Sequence, residues 1–368
     1  MKITLLEPFF TGSHATWAEG YARHSRHQVE ILSLPGRHWK WRMHGGAVAL
    51  ARQFLDSTFQ PDLLLATDML DLTTFLALTR ARSASCKTAL YFHENQLTYP
   101  WSPGDGDKAR DRDMHYAFIN YASALVADAV FFNSAYHRDS FMAELPSFLK
   151  AMPDKREMGS IGTITGKSSV LHLGMDLRQL DLYRQQHNAA SPPLVLWNHR
   201  WEYDKNPEAF FRVLYRLAAK DIAFEIAVVG ESFPGKPAVF EEARARLGDR
   251  IVQFGFAQTF AEYARWLWRA HILPVTSCHD FFGASVVQAV YCGCHPLLPK
   301  RLAYPEHLSQ EEHASCFYDD EAELEAKLGS LLQQGHCPAN LLREAVSRYD
   351  WQMMVGVYDE ALERVVAG

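Results

Sequence analysis

Short apolar runs recur along the first half of the chain, at Lys2–Leu6, Val29–Leu34, Asp62–Ala66, Lys87–Phe92, Ala129–Phe132 and Val170–Leu173. They are rich in Val, Ile, Leu and Phe, which predicts strands buried on both faces. Amphipathic stretches lie between them, Gly45–Leu55 and Met114–Leu125 among others, and predict helices. Strand and helix alternating in this way imply parallel βαβ units and a doubly wound α/β domain. The polar, proline-blocked stretch Gln185–Pro193 interrupts the pattern as a linker does. The alternation then restarts, with predicted strands at Leu194–Trp197, Glu225–Val229, Ile251–Phe254, Ile272–Val275 and Pro296–Leu298. Pro207–Lys220 and Gly283–Tyr291 are predicted helices, the second stopped by Gly293. Leu341–Val366 reads as one further helix. The expectation is an α/β protein of two Rossmann-like domains, 1–187 and 188–345, facing a central cleft. Residues 346–368 are expected to return to the first domain. Ligands of such open sheets bind beyond the carboxyl ends of the strands.

Composition narrows this picture. Hydrophobic residues at 48% and charged residues at 22% belong to globular proteins, so disorder is not expected. No apolar run approaches the roughly 20 residues of a membrane helix. The N-terminus lacks the basic-then-apolar layout of a signal peptide. The six cysteines are scattered apart from Cys292-Gly293-Cys294, as in a reducing compartment. A cytoplasmic protein without a membrane partner is expected. The net charge of -6 excludes a uniformly basic coat for nucleic acid, but not a local basic patch.

Four segments place polar residues directly after an apolar strand. Glu7-Pro8-Phe9-Phe10-Thr11-Gly12-Ser13-His14 offers a glycine and hydroxyls at a strand-to-helix turn, where backbone amides can meet an anion. His93-Glu94-Asn95-Gln96 follows Tyr91-Phe92, and polar side chains there are costly unless paired or used. The second histidine of a zinc-protease pattern is missing, since position 97 is Leu, so no metal is expected. Asn198-His199-Arg200-Trp201-Glu202-Tyr203-Asp204-Lys205 brings a guanidinium and an ammonium into a single loop, a pair suited to a diphosphate. In Cys278-His279-Asp280-Phe281-Phe282-Gly283-Ala284 an acid precedes a Phe-Phe-Gly turn and a helix. The amides of Phe282, Gly283 and Ala284 fall at that helix's N-terminus. Gln288 follows about two turns on.

The last segment resembles the signature of family-four-like retaining GT-B glycosyltransferases, in which two glutamates flank a Phe-Gly turn. More narrowly, the chain resembles the tRNA-queuosine α-mannosyltransferases, the glycosyltransferase-like domain-containing group. That likeness rests on Gly12-Ser13-His14, Trp39-Lys40-Trp41-Arg42, His93-Glu94-Asn95-Gln96-Leu97-Thr98-Tyr99-Pro100, His199–Lys205, Phe281-Phe282-Gly283 and Ala289–Cys294. The resemblance implies a GT-B fold, GDP-mannose as donor substrate, no cofactor, and the cyclopentenediol of queuosine in tRNA-Asp as acceptor. It implies catalytic roles for His93, Arg200, Lys205 and Asp280. Donor binding falls to Gly12, His199, Arg200, Lys205, Phe282, Gly283, Ala284 and Gln288. Acceptor or RNA contacts fall to Ser13, His14, Trp39, Lys40, Trp41, Arg42, Glu94, Asn95 and Gln96. Two departures stand out: Asp280 replaces the first glutamate, and Gln288 replaces the second, which in relatives contacts the ribose.

Gly36–His44 interleaves basic and aromatic residues, as single-stranded RNA recognition does; its tryptophans are alternatively core residues beside a charged turn. Lys108-Ala109-Arg110-Asp111-Arg112, after Gly104–Gly106, is a second, mixed-charge candidate. Competing functions are transfer to a lipid-linked or small-molecule acceptor, and a catalytically silent nucleotide- or RNA-binding module.

Overall fold

Every residue of Leu63–Thr67 is buried, and this continuous apolar run becomes a central strand rather than an edge. In the computed structural model, which describes residues 1–100, 114–185, 192–231, 237–334 and 340–368, it is β3 of a six-stranded parallel sheet. The other strands are β1 (Lys2–Phe10), β2 (Gln28–Pro35), β4 (Lys87–Phe92), β5 (Ala129–Phe132) and β6 (Ser168–Val170), in the order β2-β1-β3-β4-β5-β6. Ile3–Leu6 register against Leu63–Ala66, and Ala89–Phe92 against Ala129–Phe132. The connecting helices are α1 (Gly12–His24), α2 (Trp39–Asp56), α3 (Leu72–Ser83), α4 (Met114–Val126), α5 (Ala135–Lys150) and α6 (Ser160–Gly166).

The second sheet contains β7 (Leu194–Trp197), β8 (Glu225–Val228), β9 (Ile251–Phe254), β10 (Ile272–Pro274), β11 (His295–Pro299) and β12 (Phe317–Tyr318). Its order is β12-β11-β10-β7-β8-β9, which is the Rossmann order. Its helices are α7 (Pro207–Ala219), α8 (Val239–Leu247), α9 (Phe260–Arg269), α10 (Ala284–Tyr291), α11 (Tyr304–His307), α12 (Glu321–Gln334) and α13 (Asn340–Ser347). The last helix, α14 (Trp351–Ala367), belongs with the first sheet.

The chain forms two units, residues 1–175 with 349–368 and residues 176–348. The first break comes earlier than the linker pattern because the 3-10 turn Leu177–Tyr183 is bound to the second unit. There Trp268 Nε1 donates to the Leu180 carbonyl at 2.6 Å, and Tyr291 donates to Asp181 at 2.9 Å. Residues 186–191 of the linker pattern lie outside the described residues, as do Gly104–Gly106 and Lys108–Arg112.

Three sequence expectations shift. The sixth strand is Ser168–Val170 rather than Val170–Leu173. The helix expected from Gly45 begins at Trp39, so Trp39–Arg42 form its first turn instead of a loop. Leu341–Val366 is two helices, because Asp350 leaves the helical conformation and caps α14, accepting from Gln352 N at 3.0 Å. Among the described residues, no helix is long and apolar enough to cross a membrane.

The last helix is anchored by a buried indole. Trp351 is fully buried, and Cβ atoms built on Gly20 and Gly174 would lie 2.1 and 2.4 Å from its ring. Nearby, Asp359 accepts from Tyr21 Oη at 3.0 Å and from the Arg26 amide at 3.0 Å. Gly20→Ala is expected to lower stability by roughly 1–3 kcal/mol through overpacking, seen as a lower urea midpoint. Gly356→Ala, whose Cβ meets nothing within 4 Å, is the control. It should leave the midpoint unchanged or raise it, since alanine favours a helix interior.

Candidate functional site

In each sheet the polar residues gather where the strand order reverses, the ligand position of doubly wound folds. In the first sheet that point lies between β1 and β3. Glu7, in β1, has no exposed surface. One carboxylate oxygen accepts from the Phe9 amide at 2.8 Å, and the other lies 3.0 Å from His14 Nδ1 in the first turn of α1. Burial alone would drive the His14 proton off; Glu7 reverses that and raises its pKa to about 9. The His14 ring packs on His93, with centroids 4.3 Å apart. Burial, and then the neighbouring His14, push His93 well below the usual histidine range, so it is neutral. Its Nε2 is buried without a hydrogen-bond partner.

His93 is held from several sides. Asp68, just after β3, accepts from its amide at 2.7 Å, and Asn133 donates to its carbonyl at 2.9 Å. Trp17 of α1 meets its ring edge-on at 4.6 Å while stacking on Tyr91 at 4.5 Å. Burial holds the Asp68 carboxyl well above its ordinary value. Glu94 accepts from Gln96 Nε2 at 3.1 Å. Asn95 is wholly buried, and its side chain is committed to its own turn, accepting from the amides of Leu97 and Thr98 at 3.0 and 2.9 Å. Gly12 and Ser13 are exposed at the start of α1. Glu7, His14 and His93 each offer a ligand atom within 4.8 Å of the others, so this trio could hold a metal ion. The direct Glu7–His14 contact already supplies a proton where the cation would sit.

In the second sheet the reversal falls between β7 and β10. Lys205 is buried at the end of the 3-10 turn Tyr203–Lys205. Its Nζ donates to the His279 carbonyl at 2.8 Å and lies 3.1 Å from Asp204 and 3.7 Å from Asp280. Tyr304 Oη donates to Asp280 at 3.2 Å. Burial works to raise the Asp280 pKa, but Lys205, with His199 and His279, overrides it and holds the carboxyl ionised below the ordinary value. Burial, followed by Lys205, pushes both His199 and His279 down to about 4. Arg200 is different: its side chain is 45% exposed and pairs with Glu202 at 3.3 Å.

Phe281 and Phe282 are buried and fix the turn ahead of α10. Gly283 caps that helix at φ +88°, a conformation costly for any side chain, and Ala284 begins it. Beside it, Asn198 Nδ2 donates to the Ser285 carbonyl at 2.8 Å and lies 3.4 Å from Tyr263 Oη. Tyr263 in turn donates to Gln288 Oε1 at 2.9 Å. A carbonyl only accepts, so the Asn198 amide nitrogen must face it, and the Tyr263 proton is left for Gln288. This chain of bonds therefore sets the Gln288 amide oxygen on Tyr263. His199 Nδ1 lies 3.1 Å from Ser285 Oγ.

A family model for the N-terminal part of tRNA-queuosine α-mannosyltransferases matches residues 2–175, ending where the first unit breaks. The tRNA-queuosine α-mannosyltransferase of Drosophila melanogaster is 32% identical over 318 residues, covering 84% of this chain and 82% of that protein. The chain belongs to the tRNA-queuosine α-mannosyltransferase family. Sucrose-phosphate synthase from Thermosynechococcus elongatus has a similar structure, with a TM-score of 0.69 at 15% identity over 100% of this chain and 99% of that one. The catalytic domain of starch synthase IV from Arabidopsis thaliana aligns with a TM-score of 0.72 at 12% identity, covering 100% and 99%. The fold is GT-B and the protein is a glycosyltransferase.

Sequence reading within this family's pattern missed Asp68, Asp204, Tyr263 and Tyr304. Asp68 carried the same signal as its neighbours, an acid directly after a buried strand. Asp204 lies next to Lys205 in the loop whose cations suit a diphosphate. Tyr263 and Tyr304 carried no local signal, because their roles depend on helices brought alongside.

Glu7 makes a pH dependence testable. Because the His14 pKa is raised, the pair stabilises the fold fully below the ordinary value of 6.5, and that stability is lost as pH rises towards about 9. The size is on the order of 3 kcal/mol. Glu7→Gln should lower the urea midpoint at pH 6 and leave it nearly equal to that of the unmodified chain at pH 10. An equal loss at both values would show that the pair's charge contributes nothing.

Proposed function

We propose that this chain transfers mannose from GDP-mannose to the cyclopentenediol of queuosine in the anticodon of tRNA-Asp. The reaction proceeds with retention of the anomeric configuration, in the cytoplasm, without a metal or a membrane partner. Family membership supports the donor and acceptor. The arrangement that carries the chemistry is Lys205 at the strand-order reversal of the second sheet, beside an ionised Asp280.

The bond that breaks joins the anomeric carbon to the diphosphate, and negative charge grows on the departing oxygen. The Lys205 ammonium donates to the His279 carbonyl and lies in ion-pair range of Asp204 at 3.1 Å and Asp280 at 3.7 Å. A hydrogen not given to that carbonyl is the one a diphosphate takes. Arg200, on the same loop and partly exposed, adds a planar fork for the same group. The amides of Phe282, Gly283 and Ala284 complete the cradle at the start of α10. Asp280, held by Tyr304, accepts from sugar hydroxyls. His199 and Gly12 contribute to donor binding as neutral groups. Gln288 offers its NH₂ to an oxygen of the ribose. Neutral His93 acts at the transferred sugar, and Ser13, His14, Glu94 and Gln96 line the acceptor side.

The test is to incubate the chain with queuosine-containing tRNA and GDP-mannose, or UDP-sugars, then digest the tRNA and weigh its nucleosides. A hexose on queuosine with GDP-mannose alone is the expected result; no hexose with any donor would overturn the reading. Arg200→Ala and Lys205→Ala should each lower turnover by roughly 10²–10³. Gln288→Glu keeps the acceptor for Tyr263 and adds charge, so it should lower KM for the donor several-fold with kcat unchanged.

A further inference from the structure

The start of α2 carries an unusual surface. Residues 36–55 contain Arg37, Lys40, Arg42 and Arg52 with His38 and His44, and no Asp or Glu. Residues 114–127, which form α4 and its end, also contain no acid. In a chain of net charge -6, the Lys and Arg side chains of residues 36–55, with no acid among them, make a local positive field.

Trp39 and Trp41 divide their roles here. Trp39 is half-buried and packs on Tyr116 of α4 at 5.1 Å. Trp41 is 63% exposed, yet its indole does not float: a Cβ built on Gly45 would lie 2.5 Å from Cζ2 and 2.6 Å from Cε2. One face of the ring therefore lies against the helix, and the glycine is what lets it lie there. The other face is open. Around it, Arg37, His38 and His44 are exposed, and His44 meets exposed His115 of α4 at 6.2 Å. Beneath this surface Met43, Met69, Tyr116 and Ile119 form a small apolar cluster that Phe9 and Trp39 join. Met69 follows Asp68 and Phe9 follows Glu7 by two residues, so the surface shares its foundation with the buried His93 site.

We propose that Trp41, laid on Gly45 and flanked by Arg37, His38, His44 and His115, is a stacking platform for an unpaired base of an RNA loop. Gly45 is its positioning residue. An aromatic face beside Arg37 and three histidines, in segments 36–55 and 114–127 that carry no carboxylate, matches single-stranded RNA, whose bases stack on rings while phosphates seek positive charge. Duplex RNA keeps its bases stacked inside and has nothing to offer the ring. The inference rests on the tRNA reading above.

The test uses the full chain and two probes, an RNA hairpin with a seven-nucleotide loop and a blunt duplex of the same stem, titrated by fluorescence anisotropy across a salt series. Trp41→Ala should weaken hairpin binding roughly ten-fold, and Trp41→Phe should recover most of it. Gly45→Ala should raise helix stability yet weaken hairpin binding several-fold, because the new methyl displaces the indole. Arg37→Gln should flatten the slope of log K against log salt by about 0.7 if it meets one phosphate. Unchanged hairpin affinity in Trp41→Ala, or a duplex binding as well as the hairpin, would overturn the platform. Sugar transfer to queuosine-tRNA is measured alongside. Transfer without any Trp41 dependence of binding removes the platform and leaves the proposed function standing. A Trp41-dependent hairpin affinity without transfer does the reverse.

Discussion

Glu7 has no exposed surface, and the penalty for leaving such a carboxylate unpaired shapes the end of the first sheet. His14 has to be on that side of α1, and its ring has to be charged; burial, and then that charged ring at 4.3 Å, keep its neighbour His93 neutral. The second unit meets the same constraint with opposite polarity, placing the Lys205 ammonium between two carboxylates. In both units burial, and after it a fixed charge alongside, leaves an imidazole uncharged, His93 in one and His199 in the other. A neutral histidine can donate one hydrogen bond and accept another without adding positive charge to its surroundings.

The fold was legible because fully buried parallel strands leave continuous apolar runs; apart from β1, which runs on to Phe10, the displaced β6, and the two-residue β12, which had no run, each strand lies within a residue of its run. What failed was local competition between elements. Trp39 and Trp41 looked alike in sequence, two rings in a basic stretch, and only the position of Tyr116 on α4 decides that one is partly buried and the other open. Asp350 split the last helical pattern by capping α14, a role that periodicity does not display. Segments following strands named His93, Lys205 and Asp280, since a polar residue at the end of a buried strand is expensive anywhere. Tyr263 and Tyr304 stayed invisible because each reaches the site from a helix distant in sequence.

Gln288 stands where the family signature has a glutamate, and its neighbours decide what the amide can offer. An isolated amide in place of a carboxylate presents either its oxygen or its nitrogen, and gains little from a ribose hydroxyl that can do both. Here Asn198 and Tyr263 remove the choice. With one lone pair of its oxygen taken by Tyr263, the amide adds two N–H donors, so on the proposed donor-binding reading an acceptor oxygen suits it. A glutamate in this position would offer only acceptors and would favour hydroxyl protons instead. On the proposed donor-binding reading, the departure from glutamate puts a donated hydrogen bond in the same place, and the loss of charge assistance is partly offset because no amide rotation has to be frozen on binding.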